Sequence, residues 1–240
     1  MSDGRERLDR LTDWLLGEGH RIRFLERLFA DLCRQLVAVE VPVERASLHA
    51  RVLHPQFVAA RLVWRTGDAE AEVVRSGYEL VADPRFIQSP VRALFEGAEA
   101  IRQRLDVPGA VDRFPIFRDL YDEGFTDYVA MPLILSTGQR LATADLHVLD
   151  RLSPILAMAA EIRINRRLAR TLATTYLGAR SGERVLDGRI RRGDVEQLDA
   201  VIWFLDMRGF TQLADRLDQG RLIDRLNRFF EAFGGPLQAE

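Results

Sequence analysis

The feature that most constrains this chain is the run Thr143–Leu177. Within it Val148, Leu152, Ile155, Ala159, Ile162, Arg166, Ala169, Ala173 and Tyr176 follow an alternating four-and-three spacing. That period places these side chains on one stripe and predicts a single long α-helix. The same spacing fits the seam of a two-stranded coiled coil, with the polar Arg166 as its weak position. Two arrangements follow: a helix packed on its own domain, or a parallel dimer helix that links one module to the next.

Upstream, apolar residues recur at Leu8, Leu11 and Leu15, then at Ile22, Leu25, Leu28, Phe29, Leu32 and Leu36. This predicts an amphipathic helix over about 5–39, broken at Gly17 and Gly19 into a short and a longer piece. Residues 45–53, 57–65 and 70–81 alternate imperfectly between β-branched or aromatic and polar side chains. With His54-Pro55 and Thr66-Gly67-Asp68 as turns, they predict a three-strand antiparallel meander. Helices are expected near 89–96 and 116–123, and one strand over 128–135. Ser136-Thr137-Gly138-Gln139 then runs straight into the long helix, so a final strand is expected to be short or missing. Helices, meander and returning strand make an α+β domain with a curved antiparallel sheet.

Downstream, residues 178–194 are rich in glycine and arginine and read as a boundary. The cluster Arg189–Arg192 could neutralise phosphate, but a charge run at such a boundary reads first as solvated charge. Six apolar residues at 200–205 then lead to Asp206, with the β-branched and aromatic content of a buried strand. Gly209 allows a tight turn, and Thr211 could cap the following helix, whose free N–H groups attract anions. After Thr211, Leu213, Leu217, Leu222, Ile223, Leu226, Phe229, Phe230 and Phe233 form a helical apolar face. A break is expected near Gln219-Gly220 and a break or bend at Gly234-Gly235-Pro236.

Composition narrows the chemistry. The 34 basic residues balance 36 acidic ones, and every basic residue is arginine. Nothing in that balance selects nucleic acid as a partner, and no lysine is present to form a Schiff base or serve a P-loop. Cys33 is the only cysteine, which excludes an intrachain disulfide and fits a cytoplasmic location. His20, His49, His54 and His147 lack metal-ligand spacing. No window is apolar enough for a membrane helix, and the charged N-terminus is unlike a signal peptide.

Phe204-Leu205-Asp206-Met207-Arg208-Gly209-Phe210-Thr211 resembles the F-x-D-[ILM]-R-G-F-T signature that opens the catalytic domain of class III adenylate/guanylate cyclases. The residues from Tyr176 to Gly193 resemble the lead-in of bacterial members that carry an N-terminal sensory region. An aspartyl-phosphate phosphatase would want a second acid where Arg208 stands. The element order before Thr143 is similar to that of GAF/PAS-like sensory domains.

These resemblances imply an organisation. Residues 1–142 would form a helical lead-in and GAF-like sensory domain, 143–178 a signalling and dimerisation helix, 179–199 a linker, and 200–240 the first strand and helices of a ferredoxin-like cyclase domain. The implied activity is conversion of ATP to cyclic AMP and pyrophosphate with two Mg²⁺ or Mn²⁺ ions. Asp206 and the Met207 carbonyl would bind metal, and Gly209, Phe210 and Thr211 would offer backbone N–H groups to the triphosphate. The family's second metal-binding aspartate and transition-state pair have no counterpart in these residues, so the chain is expected to be a catalytically inactive fragment of a homodimeric parent. The other expectation is a stand-alone sensory or dimerisation module that binds a small molecule.

Overall fold

The computed structural model describes residues 2–52, 54, 56–131, 133–189, 191, 201–202 and 204–238, which fall into two compact units, 1–191 and 192–240. In the first, α1 (Ser2–Gly17) ends where the glycines predicted a break. A single 3₁₀ turn at Gly19–Arg21 leads to α2 (Leu25–Ala38). The apolar residues of α2 recur every three or four positions, and Leu28, Phe29, Leu32 and Leu36 are fully buried.

The helix stops at Glu40, which adopts the left-handed conformation with φ 61°. Its N–H donates to the Val37 carbonyl and the Val41 N–H to the Leu36 carbonyl. That pair of bonds is a Schellman cap in which a glutamate occupies the position glycine usually takes.

The meander is present as β1 (Arg45–Arg51), β2 (Ala59–Arg65) and β3 (Glu72–Ser76), antiparallel throughout. Gly67, with φ 101°, turns the chain out of β2, and the Asp68 side chain accepts the Arg65 N–H at 2.8 Å. The connection from β3 carries α3 (Pro84–Ile87) and α4 (Pro90–Phe95), whose first turn is capped by Ser89. Next come β4 (Ile101–Arg104), α5 (Pro115–Asp122), β5 (Asp127–Ala130) and β6 (Leu133–Thr137).

Here the expectation is corrected. The segment read as one strand over 128–135 is a hairpin, with Ala130 paired to Ile134, and the final strand is present. An apolar run interrupted by Pro132 cannot keep an unbroken ladder, because proline has no N–H to donate. The six strands form one open sheet in the order β3-β2-β1-β6-β5-β4. The coarse α+β class therefore holds.

The two faces of this sheet are covered differently. Ala46, Leu48, Leu62, Trp64, Val129, Leu133 and Leu135 point to one side and pack on α1, α2 and α6 (Thr143–Leu177). Each fully buried leucine or phenylalanine here stabilises the fold by about 1.5–3 kcal/mol. On the other side Ile101, Tyr128, Ala130 and Ile134 meet Phe117 and Leu120 of α5, with Val91 and Leu94 of α4 at the edge.

Helix α6 has the predicted extent, and its first half belongs to the core. Val148, Leu149, Leu152, Leu156 and Ala160 are buried, and Asp145 is ion-paired to Arg7 of α1 at 2.6 Å. The first positions of the expected dimer seam, Val148 and Leu152, are therefore occupied within the chain. Further along, Arg163 is buried and donates to the carbonyls of Gly19 (2.8 Å), His20 (3.2 Å), Ile22 (2.6 Å) and Ala159 (2.7 Å).

The residues expected to be a linker from 179 begin instead with α7 (Ala179–Leu186), folded back on α6. The reversal falls on Gly178, at φ 79° and ψ 158°, a region essentially closed to residues with a Cβ. Gly182 then lies so close that a Cβ there would stand 2.7 Å from the Ala173 carbonyl carbon. Arg170 and Glu183 pair at 3.0 Å across the two helices. Residues 192–199 of the expected linker lie outside the described residues, as do Ile190 and Arg192 of the arginine cluster.

In the second unit, α8 (Phe210–Arg216) and α9 (Gln219–Gln238) form the described helices. The break between them is where Gln219-Gly220 predicted it. The expected break at Gly234 is not observed, because α9 continues through it. The expected strand at 200–205 is corrected too. Val201, Ile202, Phe204 and Leu205 have no ladder partner among the described residues, and Val201 and Phe204 are 96% and 89% exposed. β-propensity alone cannot hold a strand that has no neighbour to take its N–H and carbonyl groups. Ala200 and Trp203 lie outside the described residues.

Two substitutions test this account. Glu40→Gly relieves the left-handed strain of the cap at some cost in unfolded-state entropy, for a net gain of about 0.5–1 kcal/mol and a Tm rise of about 2 °C. Arg163→Ala strands buried carbonyls at the α1–α2 turn and should cost about 2–4 kcal/mol by denaturant unfolding.

Candidate functional site

The residues singled out by the sequence sit together at the start of α8. Asp206 is exposed and makes no hydrogen bond or ion pair with the described residues. Gly209 takes φ 77°, so the tight turn that its lack of a Cβ allows is present. The Met207 carbonyl accepts the Phe210 N–H at 3.1 Å, closing that turn. Thr211 lies inside α8, and Gly209 occupies the capping position expected of Thr211. The reason is local: the left-handed glycine starts the helix two residues earlier than a hydroxyl cap would.

One carboxylate and one carbonyl do not by themselves hold two divalent ions. Among the described residues, no group of three or more His, Cys, Asp or Glu side chains could bind a metal. Asp206 with Met207 therefore amounts to a partial ligand set.

A second constellation, not foreseen from the sequence, lies on the sheet face that carries Tyr128 and Ile134. Strand registers place side chains on this face in rows. Gln103, Tyr128, Ser136, Arg45 and Arg65 form one row across five strands. Ile134, Ser47, Val63 and Glu72 form the next, followed by His49, Arg61 and Val74. The β4–β5 end of this face is covered by α4 and α5, while the β1–β2 end displays arginine, histidine and serine.

Arg65 is paired with Glu123 at 3.0 Å. Arg45 and Arg61 have no hydrogen-bond or ion-pair partner among the described residues, and the Nε of each is shut off from solvent. The Ser136 Oγ, in a residue 1% exposed, is also buried without a partner. The His49 Nε2 stands 3.2 Å from the Ser47 Oγ.

The electrostatics agree with this geometry. Burial, then the charges of Arg61 and Arg45, push the His49 imidazole down to about 3, so the ring is neutral at physiological pH. Burial, then Arg65 and Arg61, lowers the Arg45 pKa from its usual value. Burial pushes the Tyr128 phenol up, keeping it a proton donor. Cys33 is buried in the core and its thiol is likewise pushed up, which leaves it inert.

The alternation in β1 and β2 carried the available sequence signal. Arg45, Ser47 and His49 share one face of a strand whose opposite face holds Ala46 and Leu48, and Arg61 lies on the same face of the neighbouring strand.

A pH dependence follows from His49. The unfolded imidazole titrates near 6.5 and the folded one near 3, so between these values only the unfolded chain binds the proton. The stability contributed by the neutral ring is complete above about pH 6.5 and is lost as pH falls toward 3, at roughly 1 kcal/mol per pH unit. His49→Gln should therefore flatten the fall of Tm between pH 6.5 and 4. A fall parallel to that of the unmodified protein would contradict the assignment.

Compared with known proteins, the sequence matches no family model and no curated protein.

Proposed function

We propose that residues 1–191 are the sensory and signal-transmitting region of a class III nucleotide cyclase, and that the residues from 200 onward open its catalytic domain. The observation that carries this reading is the eight-residue segment Phe204–Thr211, with its acid at the end of an apolar run and a glycine turn before a helix. Support comes from the left-handed Gly209 and from the exposed, uncommitted Asp206 carboxylate, a group available to a divalent cation. The sheet order β3-β2-β1-β6-β5-β4, with α1 and α6 together on one face, supports a GAF-like sensory domain upstream.

In this reading the complete protein makes cyclic AMP from ATP with Mg²⁺ or Mn²⁺ and works as a homodimer. Asp206 and the Met207 carbonyl contribute to the metal site, and the N–H groups of Gly209 and Thr211 face the triphosphate, joined by that of Phe210 only if it leaves the Met207 carbonyl on which it closes the turn. No helix among the described residues is long and apolar enough to cross a membrane.

A second reading is favoured by a different observation. The packed core lies in residues 1–191, and none of the described residues from 201 to 234 is buried. A stand-alone sensory module would place all of its function in the first unit.

Assay of residues 1–240 with ATP and Mg²⁺ or Mn²⁺ should yield no cyclic AMP, and cyclisation by this polypeptide would overturn the proposed division. Where these residues are joined to the rest of a cyclase catalytic domain, Asp206→Asn should lower turnover at least about 100-fold. Unchanged turnover would favour the stand-alone module.

A further inference from the structure

Helix α6 carries a second stripe that its own domain does not use. The core takes the flank that holds Val148, Leu152, Leu156 and Arg163, and beyond Arg163 nothing on the helix is buried. On another flank Met158, Ile162, Leu172 and Tyr176 are 44–82% exposed. With the half-buried Ile155 and the exposed Asn165 and Ala169, they recur at steps of three and four from Ile155 to Tyr176 without a break. This is a 3.5-residue period held over three heptads, about 33 Å of helix. An apolar stripe of that period stays on one side of a helix only when the helix supercoils around a partner. The stripe differs from the seam expected from the sequence. Met158, Asn165 and Leu172 stand where Ala159, Arg166 and Ala173 were expected, one position earlier each time, because the core claims the flank of Val148 and Leu152.

From this arrangement we infer that the stripe Ile155–Tyr176 seats a second copy of this chain, whose α6 lies parallel to the first and in register with it. Charge argues for that copy and that direction. In a parallel pair, the residue just before one seam position faces the residue five further on in the other helix. Here those positions hold Glu161 and Arg166, both exposed and both without an ion-pair partner among the described residues. Glu161 of one protomer then meets Arg166 of the partner subunit, and the two-fold axis makes the contact twice. Asn165 is the one polar residue of the stripe. In register it hydrogen-bonds to its own copy, whereas a slip of one heptad sets its amide against Met158 or Leu172.

Helix α7 leaves this stripe open. It meets α6 at Arg170, Ala173 and Thr174, on the adjoining flank, and Leu172 and Tyr176 stay exposed beside it. The pair therefore forms with α7 folded back, each α7 against its own α6. The inference deepens the homodimer part of the reading above by naming the face that pairs and its register. It uses none of the chemistry of residues 200–240, so the association measurement and the ATP assay succeed or fail independently.

Sedimentation equilibrium of the 240-residue chain should show a dimer. Ile162 and Leu172 take no part in the core, so Ile162→Glu and Leu172→Glu should keep the circular dichroism of the folded chain and weaken association at least about 100-fold. Glu161→Arg or Arg166→Glu alone should weaken it about tenfold at low salt, and the double exchange Glu161→Arg/Arg166→Glu should restore it. Direction and register are read from disulfides. Cys33 is buried and inert, which leaves an introduced cysteine as the accessible thiol. With oxidised glutathione, Met158→Cys and Leu172→Cys should each link to their own copy, while Arg167→Cys, on the far side of the helix, should not. A monomer at every concentration, or a dimer that Ile162→Glu and Leu172→Glu leave intact, overturns the inference. A dimer in which neither Met158→Cys nor Leu172→Cys links to its own copy overturns the parallel register.

Discussion

The guanidinium of Arg163 is the contact on which the first unit turns. It sits about three-fifths of the way along α6 and reaches back in sequence to the carbonyls that end the α1–α2 turn. Of these, the Gly19 carbonyl also accepts the Ile22 N–H, whereas those of His20 and Ile22 have no other donor among the described residues. By answering them with one planar group, the fold joins its first helices to its longest one and fixes where α6 leaves the core. The Arg7–Asp145 pair sets the other end of the same helix face. Between these anchors the side chains of α6 pack on the sheet, and beyond Arg163 no residue of α6 is buried.

This arrangement commits one face of the sheet to cohesion and frees the other for a different use. The face toward α1, α2 and α6 is mostly apolar, with buried Asp127 and Thr137 at its β5–β6 end, and it supplies most of the burial that stabilises the unit. The opposite face needs less, and α4 and α5 cover its β4–β5 end and reach Ile134 of β6. Arginine, histidine and serine can occupy the remainder because the domain already has a core. Their repulsion is a local cost that burial on the far side offsets.

Much of the architecture could be read from residue order. The break at Gly17 and Gly19, the three-strand meander and the extent of α6 all arise from local rules of period, turn and cap. The hairpin of β5 and β6 was hidden by reading an apolar run as one strand, although Pro132 within it marked the interruption. β4 was missed because Ile-Arg-Gln-Arg is short, charged and at the sheet edge, with little propensity of its own. At 200–205 the local preference for a strand was strong, but pairing is a tertiary event, and the described residues there are exposed. The basic cluster was unreadable for a related reason. Arg45 and Ser136 are 91 positions apart, and only the β1–β6 register makes them neighbours.

The reversal at Gly178 has a mechanical meaning. A continuous helix acts as a shaft that carries rotation and sliding along its backbone, and here the shaft ends at Leu177. Motion of α6 passes to α7 sideways, through contacts that include the close approach at Gly182 and the Arg170–Glu183 pair. A joint of that kind works like a latch. Its two helices move together while they are seated, and once separated by the thickness of a methyl group they no longer transmit.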